Sequence, residues 1–339
     1  MQAIFAVTLP FFALVLCGYL AARQRVLPEA AIPGLNAFVL YFALPCMLFR
    51  FGSTMPITQL FDASLVLIYL GSALLMVLFT VALTWSRGPA APRSAGVDLR
   101  NAAFGALVAA FPNTGFMGVP LLVALMGPQA AGPAIITLLV DLIVTSTLCI
   151  VIAEAQHDTP DEDAFDDERD RPGAGAVALR SLRGAMTNPL PWAICLGAAA
   201  AALEFAFPGP VAQVVKMLGD AATPVALFTI GAVLWRAGQH VHTRTPVRRF
   251  LPIALLKLFL HPLLVLSVGL VAKAAGIDVS AFGLTVLVLM AALPSASNVS
   301  LLAERYGADN GRVARIIMAS TVLSFGSFSL LAWVFGKSP

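Results

Sequence analysis

The chain has 339 residues, of which 59% are hydrophobic and only 12% charged, with a mean hydropathy of +0.88 and a net charge of +3. Soluble domains carry about 25% charged residues, so this composition excludes an ordinary water-soluble globule. The apolar residues come in runs of about 20, the length an α-helix needs to cross roughly 30 Å of hydrocarbon.

In chain order, ten stretches read as membrane spans: 3–23, 35–52, 61–86, 102–126, 130–153, 188–208, 211–235, 250–274, 281–303 and 311–335. No Lys or Arg precedes the first, so it reads as a span and not as a cleavable signal peptide. Cys17, Cys46, Cys149 and Cys195 all fall inside apolar stretches and read as packing residues. Segment 155–186 differs from the rest. It holds the densest acidic run, HDTPDEDAFDDERDRPGAG, cannot bury apolar surface, and is expected to be a mobile loop.

Lys and Arg set the orientation, because cytoplasmic loops carry an excess of both. With the N-terminus outside, sixteen of the 21 basic residues lie on the inner side and only Arg50, Lys216, Lys273 and Lys337 on the outer; Lys257 lies within a span. Both termini are therefore expected outside, the acidic loop in the cytoplasm, and the chain in the inner (plasma) membrane.

The two halves repeat. Ala43 to Phe49 and Ala222 to Phe228 both read A-x-P-x-x-L-F, with Pro45 and Pro224 offset by 179. Ala110-Phe111-Pro112 and Ala292-Leu293-Pro294 are offset by 182, and Gly127 and Gly307 by 180. Five spans per unit is an odd number, so the units must be inverted relative to each other, a plan common in secondary transporters. The expected organisation is an all-α integral membrane protein of ten helices. Residues 1–154 form the first five-helix repeat, 155–186 the acidic loop, and 187–339 the second repeat.

The fourth stretch carries Pro112-Asn113-Thr114-Gly115-Phe116-Met117-Gly118-Val119-Pro120. Pro112 removes a backbone donor and clashes with the preceding turn, so the helix should break there, with Asn113 or Thr114 capping a second half-helix. The ninth stretch repeats the design with Pro294-Ser295-Ala296-Ser297-Asn298. Two half-helix N-termini at mid-depth offer free N–H groups and partial positive charge, a site suited to a carboxylate. The structural alternative is a pair of proline kinks. The expected substrate-binding residues are Pro112, Asn113, Thr114, Gly115, Pro294, Ser295, Ser297 and Asn298.

Three ionisable residues within spans are candidates for function. Asp141, near mid-depth, is a candidate for proton or sodium coupling, the alternatives being structural pairing and a bond to a helix end. Lys257 and His261 share one face at i, i+4. Lys257 has the alternative of snorkelling to the interface, and His261, before Pro262, that of bonding a freed carbonyl. His240 and His242 lack further ligands and make a weak metal signal. No H-E-x-x-H, G-x-x-x-x-G-K-[ST] or G-x-S-x-G is present, so no enzyme is expected, nor any cofactor, bound metal or nucleic-acid partner. A carrier for small organic anions is the leading reading, with an anion-binding channel or sensor without alternating access as the other.

These residues resemble a known family. FPNTGFMGVPLLVALMG (111–127) is similar to the fourth-helix motif of the auxin efflux carriers, and ALPSASNVSLLAERY (292–306) to their ninth-helix motif. Residues 35–51, Asn188-Pro189-Leu190 and 223–234 are similar as well, so only the acidic loop lies outside the resemblance. The resemblance implies a fold like that of sodium/proton antiporters, with broken helices four and nine crossing. It also implies a homodimer in the lipid bilayer, with spans 3–5 and 8–10 moving as an elevator against spans 1, 2, 6 and 7. Asn113 is the position implied to meet a substrate carboxylate. The family's plant members export auxin and its bacterial members are linked to malonate and malate. Asp141 stands where plant carriers have an uncharged Gln, a departure that argues against auxin and for an ion-coupled carrier.

Overall fold

The computed structural model describes residues 2–54, 62–85, 97–155, 173–239 and 245–335. The acidic run at 156–172, Arg87, Arg93, Arg244, Lys337 and the His240/His242 pair lie outside them. All elements among the described residues are helical. They are α1 (Gln2–Arg23), α2 (Glu29–Thr54), α3 (Ala63–Thr84), α4 (Leu99–Ala110), α5 (Thr114–Met126), α6 (Pro128–Glu154) and α7 (Ala174–Met186). After these come α8 (Pro189–Ala202), α9 (Gly209–Gln239), α10 (Val247–Ala274), α11 (Ala281–Ala291), α12 (Val299–Arg305) and α13 (Asn310–Phe335). Seven of them, α1, α2, α3, α6, α9, α10 and α13, are long and apolar enough to cross a membrane; α4, α5, α8 and α11 are shorter apolar helices.

Local chemistry explains the helix ends. Asp62 accepts bonds from the amides of Ser64 and Leu65, Asp98 from Asn101, Asn188 from Leu190 and Ser280 from Gly283, each satisfying a first-turn donor. The stretch expected at 188–208 is helical only to Ala202. Glu204 takes a left-handed φ of 51°, and the Phe205 amide returns to the Ala200 carbonyl at 2.8 Å, closing the helix end. The loop expected to run to residue 186 stops earlier, because α7 occupies Ala174–Met186. That part of the sequence has no acidic residue, and Val177, Ser181 and Ala185 form a buried stripe at helical spacing.

Among the described residues four π-helical turns widen the helices, at Val39–Ala43, Thr114–Gly118, Asp141–Thr145 and Leu256–Leu260. Pro45, Pro120 and Pro262 each stand two residues beyond one of them. A proline inside a helix donates no bond and crowds the preceding carbonyls, and a widened turn relieves both. The turn at Asp141 has no such proline.

Two helix pairs pack at backbone distance. In α1 and α9, a Cβ on Gly231 would overlap the Val15 carbonyl, and one on Gly18 the Phe228 carbonyl. In α2 and α8, a Cβ on Gly197 would overlap the Phe49 carbonyl, and one on Gly52 would stand 2.8 Å from the Ile194 carbonyl. Small residues drive association in lipid by permitting this approach. Gly231→Ala should therefore cost about 3 kcal/mol, the upper part of the overpacking range, and lower the melting temperature in detergent. Gly238→Ala, on the same helix with nothing within 4 Å of the added carbon, should leave it unchanged.

Candidate functional site

The two proline-broken segments meet. α4 is capped at Phe111 and α11 at Ala292, and the residues beyond each run antiparallel to one another, with Pro112 facing Ser295. The Asn113 amide donates to the Pro294 carbonyl at 2.8 Å, and the Ala296 amide to the Phe111 carbonyl at 3.0 Å. Each break thus supplies the partners that the other loses. Lipid supplies no partners, so irregular backbone at this depth must be satisfied within the protein. The Ser295 amide is held by Ser320 Oγ of α13 at 3.1 Å.

The capping differs from the sequence expectation. Neither Asn113 nor Asn298 caps its half-helix with its side chain. The Asn113 backbone carbonyl accepts instead, from the amides of Met117 at 3.2 Å and Gly118 at 2.9 Å. This is the bond pattern of a π turn, which moves the acceptor role to the main chain. The Asn113 side chain is 4% exposed and has no hydrogen-bond partner among the described residues. Thr114 Oγ1 and Ser295 Oγ are buried and unpartnered as well. Three polar groups at the crossing are therefore uncommitted, against the general rule that buried polar groups are paired. Gly115 lies against Leu138 Cδ1 of α6, Leu190 Cδ1 of α8 and Leu44 Cδ1 of α2, with room for a Cβ at 3.5 Å or more.

The predicted site residues fall into two groups. Pro112, Asn113, Thr114, Gly115, Pro294 and Ser295 come together, buried, at the crossing. Ser297 and Asn298 instead line an open cavity of about 430 Å³ between α2 and α9 on one side and α12 and α13 on the other. Asn36, Tyr41, Arg236 and Glu304 also line it. Sequence reading did not single out Asn36, inside the family-like stretch 35–51, or Arg236, at a span end.

A second buried polar group lies behind the break. Asp141, fully buried on α6, accepts from the Tyr69 hydroxyl of α3 at 2.8 Å and from Thr145 Oγ1 at 3.1 Å. Lys257 does not snorkel. It is fully buried on α10, donates to the Ala291 carbonyl at the end of α11 at 2.6 Å, and lies 3.0 Å from His261 Nδ1. His261 thus meets Lys257 rather than a carbonyl freed by Pro262. A protonated lysine has only donors, so whenever Lys257 is charged His261 Nδ1 is the acceptor; His261 Nε2 is buried without a hydrogen-bond partner. The Tyr69 and His261 rings lie 5.9 Å apart, joining the Asp141 and Lys257 ends of the group. Tyr69 was not anticipated, although it is the one tyrosine of α3.

The arrangement places uncommitted polar groups at the crossing beside a second buried polar cluster. The membrane transport protein family model matches residues 3–334. A candidate malonate transporter of Rhizobium meliloti (strain 1021) is 28% identical over 98% of this chain and 96% of its own. An uncharacterised transporter of Methanothermobacter thermautotrophicus is 25% identical over 94% of this chain and 93% of its own. The auxin efflux carrier component 8 of Arabidopsis thaliana is 24% identical over 88% of each chain. A family of membrane transport, not of catalysis, is matched over nearly the whole length. With its apolar helices and its paired breaks, the chain belongs to the membrane transport protein family, the auxin efflux carrier family that its motifs resemble.

Proposed function

We propose that the protein is a secondary carrier that moves small organic anions, carboxylates such as malonate, malate or auxin-like acids, across the inner membrane by an elevator-type motion. The observation that carries this is the crossing itself, where Asn113, Thr114 and Ser295 hold uncommitted polar groups beside two interrupted helices. A carboxylate bound there would accept from donors already desolvated, so little reorganisation opposes binding. The name of the Rhizobium meliloti relative supports malonate as the first acid to test.

The same proposal includes ten spans in two inverted repeats. Joining α4 to α5 and α11 to α12 across their breaks, and counting α8, adds three spans to the seven long helices. The glycine-packed pairs support inversion. Gly18 and Gly197 are offset by 179, and so are Gly52 and Gly231. The α1–α9 seam is therefore the repeat image of the α8–α2 seam, and α1, α2, α8 and α9 form a tight four-helix scaffold. The breaks belong to the other unit, which would carry the anion past the scaffold leucines Leu44 and Leu190. Termini outside, from the charge asymmetry, and a homodimer, from the resemblance, complete the reading.

The test is uptake into proteoliposomes with a competition panel of mono- and dicarboxylates, with and without a pH or sodium gradient. Saturable counterflow is expected, with malonate among the effective competitors. Ohmic single-channel currents without counterflow would favour the channel.

A further inference from the structure

The unit that carries the breaks meets the scaffold unequally at its two ends. α5 and α13 pack against α1. The repeat image of the α5–α1 contact is α12 against α8, and among the described residues that pair packs far less. In its place, the cavity of about 430 Å³ separates α12 and α13 from α2 and α9. Inverted repeats give the two ends equivalent parts, so a contact closed at one end and parted at the other defines one of two states.

Side chains of α1 and α13 meet at the closed end. Thr8 Oγ1 and Ser329 Oγ, both buried, share a hydrogen bond at 3.4 Å, and neither hydroxyl has another partner among the described residues. That separation is long for a hydroxyl pair, so the bond parts at little cost. Beside it, the Phe325 ring of α13 stands between two rings of α1. Its centroid lies 5.1 Å from that of Phe12, edge-on, and 6.2 Å from that of Phe5. Phe5 and Phe12 are about two helical turns apart, so one ring of α13 is seated in a notch of α1. The two helices belong to different units. α1 is fixed to α9 by the close approach at Gly18 and Gly231, and α13 to the break by Ser320 and the Ser295 amide. Phe325 lies little more than one turn beyond Ser320 on the same helix, so the ring and the crossing move together.

Resting on the elevator reading above, we propose that Phe325, seated between Phe5 and Phe12 beside the Thr8–Ser329 pair, is a latch that holds the moving unit in the state open beside α12. Withdrawal of the ring from its notch frees α13 to travel with the crossing, and that travel closes the cavity between α2 and α12. A hydroxyl pair and edge-on rings suit this task, because neither interlocks the backbones as the glycine seams of the scaffold do.

The experiment measures distances by pulsed electron spin resonance on the full chain in lipid nanodiscs, with the four native cysteines replaced by alanine. Spin labels at Ala37→Cys and Leu301→Cys, exposed residues on opposite walls of the cavity, report its width. One distance should dominate while Phe325 is present. In Phe325→Ala a second distance should gain about fivefold or more relative to the first, the factor that loss of two aromatic pairs gives. Val322→Ala, at an exposed position of the same helix, should leave the distribution unchanged. A second measurement removes no ring. Oxidising Thr8→Cys/Ser329→Cys to a disulfide should abolish counterflow in proteoliposomes, and dithiothreitol should restore it. An unchanged distance distribution in Phe325→Ala, failure of the disulfide to form, or full counterflow through the cross-linked protein would overturn the latch. Wild-type protein without counterflow, but with the second distance still gained in Phe325→Ala, would overturn the carrier reading and leave the latch standing.

Discussion

Asn113→Ala should reduce carboxylate uptake in proteoliposomes by at least tenfold, to background in a standard assay, while insertion and melting temperature stay near wild type. The two halves of this expectation come from one observation. The Asn113 side chain makes no hydrogen bond among the described residues, so truncating it forfeits none. Its amide hydrogens are donors that a substrate carboxylate would use, and a hydrogen bond to a charged group is worth about 1.5–3 kcal/mol. That range corresponds to a loss of about 10- to 150-fold in transport efficiency. Ser320→Ala provides the contrast. Its Oγ satisfies the buried Ser295 amide, so its removal strands a donor and should lower stability by about 1–3 kcal/mol. Uptake undiminished in Asn113→Ala would rule out the crossing as the substrate site, whatever Ser320→Ala does to the fold.

Much of this arrangement was legible in the sequence because prolines and glycines constrain the backbone wherever they stand. Pro112 and Pro294 dictated two interruptions, and the structure pairs them. The offset near 180 between the halves recurs in Gly18/Gly197 and Gly52/Gly231, glycines that pattern reading had passed over. Other features depend on three-dimensional neighbours. That Asn113 leaves capping to its own carbonyl follows from the π turn after it, which no spacing rule announces. Hydropathy placed Lys257 near a helix end, where snorkelling was a fair alternative. The Ala291 carbonyl and His261 give it partners inside, and those lie on another helix and one turn along its own. Ser297 and Asn298 belong to the same motif as Ser295, yet they line the open cavity beside the short α12, which begins at Val299 directly after them. Segment 174–186 was assigned to the loop by its acidic neighbours, although its own residues keep helical spacing.

Asp141→Asn should abolish the dependence of uptake on a proton or sodium gradient while leaving downhill counterflow measurable. Asn keeps the size and one acceptor oxygen, so the bond from Tyr69 or from Thr145 survives, but the negative charge does not. The change reaches the substrate site through a short path. Asp141 and Lys257 act on each other electrostatically, and Lys257 holds the Ala291 carbonyl three residues before Pro294. Neutralising Asp141, by protonation during transport or by substitution, leaves Lys257 a buried cation with only neutral neighbours. Asp141 and Lys257 make no direct ion pair among the described residues, so removing one charge costs less than the about 3–5 kcal/mol of a contacting buried pair, and replacing both is often near neutral. Asp141→Asn alone should therefore melt below wild type, and Asp141→Asn/Lys257→Met should recover most of that loss. The double variant should still lack gradient dependence, since the titrating carboxylate is gone. If Asp141→Asn keeps its gradient dependence, coupling resides elsewhere and the pair is structural. If instead the single variant loses coupling and the double regains stability without it, the charge at Asp141 drives the cycle and Lys257 transmits it to the end of α11.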